Sequence, residues 1–261
     1  MAFKSWNPIH LAKFNSAASS DFLDMYENIL DNKIREAAER GSHQTFSGSS
    51  FRCDRLSWFR LRGTQPDKVK EPDRGLEFTA QIGTACHRVI QSNLSEALGD
   101  DWIDVSTYLQ SIDFPYEYEV KADDSGFETQ ITLVDPPFRF SCDGVIRWKD
   151  KYYLLEIKTS EFMSWDEMTD PKAEHIDQVK CYATLLNLHD VIFLYQDRQY
   201  GEFKCYEYHV TDSTMQDIKQ RINYVMDMVK KNLAPEPLPK GDKWCTRSMC
   251  PYFDKCAEYG R

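Results

Sequence analysis

Three side chains in a short register carry the first chemical signal in this sequence. Asp143 and Glu156 are carboxylates with twelve residues between them, and Lys158 closes the run Glu156-Ile157-Lys158. Two carboxylates offer hard oxygen ligands to Mg²⁺ or Mn²⁺, ions that keep several waters and also accept a phosphate oxygen. Such an ion polarises a scissile phosphate and makes a bound water easier to ionise. A lysine on the same strand face can orient that water and meet the negative charge that builds up. The chemistry on offer is metal-dependent phosphodiester hydrolysis.

The elements around these residues decide whether they can meet. Phe138–Trp148 and Tyr152–Thr159 read as two strands. Side chains alternate along a strand, so Leu154, Glu156 and Lys158 share one face, and Tyr153, Leu155 and Ile157 form the other, core-facing one. With Lys149-Asp150 as a two-residue hairpin turn, Trp148 pairs with Lys151 and Asp143 falls opposite Glu156. Opposed residues have Cβ atoms roughly 4.5–5.5 Å apart, close enough for two carboxylates to share a cation. A three-residue turn would shift that register. The competing reading is a solvated sheet face with unrelated charges. The apolar flanks Tyr152–Leu155 and Ile157 weigh against it, because they put the charges in a buried strand, which is costly without compensation.

The remaining chain supplies a mixed α/β frame. An amphipathic helix is expected from Ser20-Asp21 to near Gly41, a Gly/Ser loop to Ser50, a short basic helix over Leu56–Leu61 and a charged loop over Thr64–Arg74. A helix over Leu76–Leu98 carries His87 and Gln91. Tyr116–Val120 and Thr129–Val134 read as strands, with turns at Asp124-Ser125-Gly126 and Pro136-Pro137. A helix over Asp166–Leu188 carries Gln178 and Tyr182; strands over Val191–Gln196 and Phe203–Val210 and a helix over Asp212–Lys231 follow. A three-part organisation results: a helical region 1–75, a core 76–234 and a cysteine-containing tail 235–261.

Charged residues make up 28% of the chain and the net charge is −10, so any polyanion must be met by a local field. Arg52, Arg55, Arg60 and Arg62 crowd one segment, followed by Lys68, Lys70 and Arg74. No apolar run reaches the roughly 20 residues that span a bilayer. Residues 1–20 lack the pattern of a signal peptide, so the eight cysteines are expected in a reducing cytoplasm, as free thiols or metal ligands.

Four motifs in order resemble the RecB-type branch of the PD-(D/E)xK nucleases: Gly83-Thr84-Ala85-Cys86-His87, Asp143-Gly144, Glu156-Ile157-Lys158 and Gln178-Val179-Lys180-Cys181-Tyr182. The resemblance implies a restriction-endonuclease-like core, a central mixed sheet flanked by helices. It further implies Mg²⁺ or Mn²⁺ on His87, Asp143, Glu156 and the main-chain carbonyl of Ile157, with Lys158 positioning the water. From spacing alone, His87 suits a core histidine as well as a ligand. Gln178 and Tyr182 lie one helical turn apart, where they could reach the lysine or a DNA strand.

Cys53 stands far upstream of Cys245, Cys250 and Cys256, and the tail has too few apolar residues for its own core, so a metal staple has a motive there. This layout resembles the iron–sulfur subgroup of RecB-type nucleases, which includes CRISPR-adaptation nucleases and the AddB subunit, although its tail spacings are wider than the tightest family form. It implies a [4Fe–4S] cluster on the four thiolates. Zn²⁺ and unligated thiols are the alternatives. Cys86, Cys142, Cys181 and Cys205 read as structural. Around Trp58 and Phe59 the arginines combine charge with stacking surface, and Arg55 and Arg62 are expected as phosphate contacts.

The expectation is an exonuclease that prefers single-stranded DNA ends without sequence specificity and serves repair, recombination or replication. With no G-x₄-G-K-[S/T] loop, unwinding would fall to a helicase or recombination partner. Two alternatives stand beside it: a CRISPR-adaptation-like nuclease that trims prespacer DNA in a complex, with an integrase as partner, and a catalytically weak DNA-binding clamp.

Overall fold

The computed structural model describes residues 17–39, 44–67, 73–122 and 129–260. Gly41, Lys68, Lys70 and the expected turn Asp124-Ser125-Gly126 lie outside the described residues. The chain divides into two compact units, residues 1–41 with 69–80 and residues 42–68 with 81–261. In the first, helix α1 (Ala17–Glu39) is joined to the start of helix α3 (Arg74–Leu98) by Arg74, which donates to Asp31 at 2.7 and 2.9 Å.

The second unit holds the sheets. Five strands lie in the order β1 (Trp102–Ile103), β5 (Gly144–Trp148), β6 (Lys151–Ser160), β7 (Asp190–Asp197) and β8 (Phe203–His209). Only β6 and β7 run parallel, so the sheet is mixed. A separate antiparallel meander comprises β2 (Tyr118–Ala122), β3 (Thr129–Leu133) and β4 (Phe138–Cys142). Central β6 is buried on both faces. On one face Tyr153, Leu155 and Ile157 pack with Ile90 of α3. On the other, Leu154 joins Val191 and Phe193 and the helix α6 (Ala173–Leu186) through Val179, Ala183 and Leu186. The sequence reading of one core face and one charged face is thus corrected: helices cover both.

Two expected elements are broken. The run Phe138–Trp148 is two strands in two sheets, with a bend at Asp143. The helix expected over Asp166–Leu188 is the short α5 (Phe162–Asp166) and then α6, with Pro171 in the gap, where a ring without an N–H cannot continue the helix. Helix α6 stops at Asn187, which takes the left-handed conformation at φ 54°. A short helix α4 (Val105–Ser111), unforeseen in the sequence, is capped by Asp104, which accepts from the Thr107 amide at 2.8 Å. Helix α2 (Asp54–Leu61) packs against α7 (Asp212–Lys230), and a final turn of helix, α8 (Phe253–Ala257), ends the tail. Among the described residues no helix is long and apolar enough to cross a membrane.

Candidate active site

The β5–β6 hairpin has the register that two-residue turns impose. Trp148 pairs with Lys151 and Gly144 with Leu155. Lys149 and Asp150 both have positive φ, 50° and 63°, as a type I′ turn requires. The ladder ends at Gly144, so the amide of Ile157 has no main-chain partner on that side. The Asp143 carboxylate takes its place, accepting from Ile157 N at 2.7 Å. Asp143 therefore sits at the break between the two sheets, beside Glu156, rather than inside a strand. Gly144, the first residue after the break, leaves room for Trp102: a Cβ there would lie 2.9 Å from its Cη2.

Two residues one turn apart on α3 hold Asp143 from the other side. His87 Nδ1 lies 3.2 Å from its Oδ1, and Gln91, buried to 1% exposure, donates to its main-chain carbonyl at 2.8 Å. Gln91 had no role in the sequence reading; its spacing of four from His87 was the available signal. Gly83, one turn earlier, faces Thr159 at 3.6 Å from an added Cβ, ordinary contact distance.

On the α6 side, Lys158 Nζ is 2.5 Å from Glu156 Oε1 and donates to Gln178 Oε1 at 3.3 Å. Gln178 Nε2 donates to the Tyr182 hydroxyl at 2.9 Å, and the Tyr182 ring stacks on Phe140 with centroids 5.0 Å apart. The chain of contacts thus runs from buried aromatic packing to the lysine. A loop the sequence reading passed over completes it. A Cβ on Gly48 would come within 3.0 Å of both the Gln178 and the Tyr182 side chains. Its signal was the Gly/Ser composition of residues 47–50, but the partners lie more than a hundred residues away.

The electrostatics follow from this packing. Burial pushes the Glu156 carboxyl up from its ordinary 4.5 to about 7, and the Asp143 charge adds to the rise against the pull of Lys158. Burial works to lower Lys158, but the Glu156 and Asp143 charges outweigh it and hold the ammonium above its usual value. His87 behaves alike: burial opposes its charge, and the Asp143 hydrogen bond and charge win. Each of the two acidic side chains thus faces one basic group, Asp143 facing His87 and Glu156 facing Lys158. Among the described residues, no group of three or more His, Cys, Asp and Glu side chains is arranged to hold a metal ion.

The other expected site residues divide clearly. Cys53, Cys245, Cys250 and Cys256 line one pocket, together with Arg55 and Phe59. Burial pushes the Cys53 and Cys250 thiols up, and the nearby main-chain amides of Leu56 and Arg55 at Cys53 and of Tyr252 at Cys250 offset this only in part. Arg55 is corrected as a phosphate contact. It is 3% exposed and donates through Nε to Pro235 O at 2.6 Å, and through Nη1 to Cys256 O and Sγ at 3.3 and 3.4 Å. Trp58 and Phe59 are buried against Tyr259 and Tyr252, so they offer no stacking surface. Arg62 is exposed and lies over the Trp58 ring. Tyr182 is 6% exposed, which places it behind Gln178 and not on a strand-binding surface. Of the four cysteines read as structural, Cys142 and Cys181 are buried, Cys86 is partly so, and Cys205 is exposed.

No protein-family model matches the sequence, and no curated protein does. Among solved structures, the chain is similar to one described as SSO0001, at 16% identity and a TM-score of 0.47, over 91% of this chain and 98% of that one. It is also similar to an alkaline exonuclease, LHK-Exo, from Laribacter hongkongensis, at 15% identity and a TM-score of 0.44, over 77% and 93% of the two chains. The same exonuclease in complex with dAMP gives 16% identity and the same TM-score of 0.44 over the same shares, 77% and 93%. At identities and TM-scores this low, what the site does has to be read from its own side chains.

Proposed function

We propose that this chain is a divalent-metal-dependent deoxyribonuclease that hydrolyses phosphodiester bonds from single-stranded DNA ends without reading sequence. The observation that carries this reading is the meeting of five groups at the sheet break. The Asp143 carboxylate is fixed between His87 and the Ile157 amide, beside buried Glu156 and its partner Lys158. Two neighbouring carboxylates in a site that drives Glu156 toward its neutral form are what a divalent cation relieves.

His87, Asp143, Glu156 and the main-chain carbonyl of Ile157 would hold Mg²⁺ or Mn²⁺, which when bound supplies Lewis acidity at the phosphate and a water that ionises near neutral pH. The rest falls to the chain's own groups. Lys158 orients the attacking water and meets charge developing on the phosphate. Gln178, fixed by Tyr182, aims the lysine ammonium. Gln91 and His87 keep Asp143 at the break between the sheets. No residue set here reads bases, which suits an enzyme of repair, recombination or replication supplied with unwound ends by a partner.

The same reading assigns 76–234 as nuclease core, 1–75 as a helical region and 235–261 as a tail clamped by a [4Fe–4S] cluster on Cys53, Cys245, Cys250 and Cys256. The fit is supported by four sulfurs lining one pocket, with the Arg55 guanidinium donating to Cys256 Sγ. Such donors suit thiolates. Zn²⁺ is the alternative for the same ligands.

The test uses anaerobically purified full-length protein with end-labelled linear and circular single strands, in Mn²⁺, Mg²⁺ or EDTA. The reading expects loss of linear substrate with either metal, sparing of circles, and no activity in EDTA. Activity that persists in EDTA overturns it. Iron and sulfide assays on the same preparation separate the cluster from zinc, and a colourless, iron-free protein excludes the cluster.

A further inference from the structure

A pocket of about 860 Å³, counting its open mouth, is lined in part by Gln178. Gly48 and Ser49 form one wall, and Arg52, Lys243 and Trp244 form the rim. The indole organises that rim. The Arg52 guanidinium lies 4.5 Å from the Trp244 ring centroid and the Lys243 ammonium 4.8 Å from it. Two cations held over one aromatic ring are restrained at little further entropic cost.

Neither cation is neutralised closely. Arg52 donates to the Met249 carbonyl at 3.3 Å and has no carboxylate partner among the described residues. Lys243 approaches Glu174 only to 3.8 Å, and its side chain is 70% exposed. The acidic Asp177 on the same wall is taken up by Lys180 at 3.2 Å. Beyond Trp244 a second pocket continues past Arg52 to Lys180 and Arg221, with Asp177, Asp217 and Asp242 also in its lining; Arg221 is paired with Asp54. In a chain of net charge −10, a polyanion needs a local seat of this kind.

We propose that the Arg52–Trp244–Lys243 rim binds the phosphodiester backbone of a single DNA strand and leads it past Gln178 to Lys158. The combination of charge with an aromatic platform is how single strands are held without base reading. This assignment rests on the nuclease reading above. It also replaces Arg55, whose charge is spent inside the protein, with Arg52, three residues earlier, as the phosphate contact of that segment.

The test measures binding of a fluorescent oligo-dT strand by anisotropy across a tenfold range of KCl. The full chain carrying Lys158→Ala serves as parent, so that the strand survives. Each lost phosphate contact should lower the slope of log affinity against log salt by about 0.7, about a fivefold difference over that range. Lys243→Ala and Arg52→Gln should each show this loss, while Arg52→Lys keeps the slope. Lys243 is exposed, so its variant tests charge with the fold intact. Exposed Lys121, on β2, supplies the control: Lys121→Ala should change nothing. A parent that binds with the usual salt dependence, and variants at Arg52 and Lys243 with unchanged slopes, overturn this strand path while the nuclease reading stands. A parent that binds no strand at all overturns both.

Discussion

If Glu156 is a metal ligand, its raised pKa makes cation binding a proton-releasing event. Burial and the neighbouring Asp143 charge set the carboxyl at about 7 in the metal-free protein. It is then about one-tenth ionised at pH 6 and about nine-tenths at pH 8, so affinity for Mn²⁺ should rise about tenfold between them. His87, also held above its ordinary pKa, competes in the same direction and adds to the rise. The sign for folding is opposite in the two forms. A group whose pKa is raised on folding contributes stability below its unfolded value that is lost as pH rises through the folded one. Metal-free protein should therefore lose stability from these two groups between about pH 5 and 8. Saturating Mn²⁺ should add about 1.4 kcal/mol more at pH 8 than at pH 6, the free-energy equivalent of the tenfold affinity gain. Calorimetric titration of Mn²⁺ in buffers of differing ionisation enthalpy reads the protons directly. About one should leave Glu156 at pH 6 and almost none at pH 8. Equal affinity and no proton release at pH 6, or a Glu156→Gln variant with the same pH dependence, would refute this reasoning.

Two substitutions test the supports of the site. Gly48→Ala puts a methyl within 3.0 Å of Gln178 and Tyr182, so it should move Gln178 off Lys158. A displacement of this size at a positioning residue costs on the order of 10²-fold in rate; a wild-type rate with an unchanged melting temperature would show that the Gln178 contact is idle. Arg55→Met keeps most of the buried volume but strips donors from Pro235 O and Cys256 O. Urea denaturation should register a loss of about 3 kcal/mol, since bonds to charged donors are worth roughly 1.5–3 kcal/mol each and the carbonyls are left buried. A loss below about 1 kcal/mol would mean the tail is held by other contacts.

Much of the site was legible because its determinants are local. The apolar flanks and alternation of β6 and the two residues of the Lys149-Asp150 turn fix the register that brings Asp143 beside Glu156. His87 with Gln91, and Gln178 with Tyr182, follow from helical spacing. The break at Asp143 was not legible, because Phe138–Trp148 reads as one largely alternating run whose one glycine is Gly144. That glycine is explained by Trp102, forty-two positions earlier. Arg55 misled for the same reason. Beside Trp58 and Phe59 it looks like a basic, aromatic surface, but its partners Pro235 and Cys256 lie 180 and 201 positions away. Pro171, by contrast, was a visible signal that the helix carrying Gln178 starts late.

The central claim is that Lys158 works beside a cation held by Asp143 and Glu156. The most direct measurement is the initial rate of nucleotide release from a linear single strand in Mn²⁺, for the native chain and Lys158→Ala at equal folded concentration. Removing one charge stabiliser of this kind costs about 10²–10³-fold. The account predicts that loss, together with complete loss in EDTA. A Lys158→Ala variant that releases nucleotides at the native rate, or native activity that survives EDTA, would contradict it.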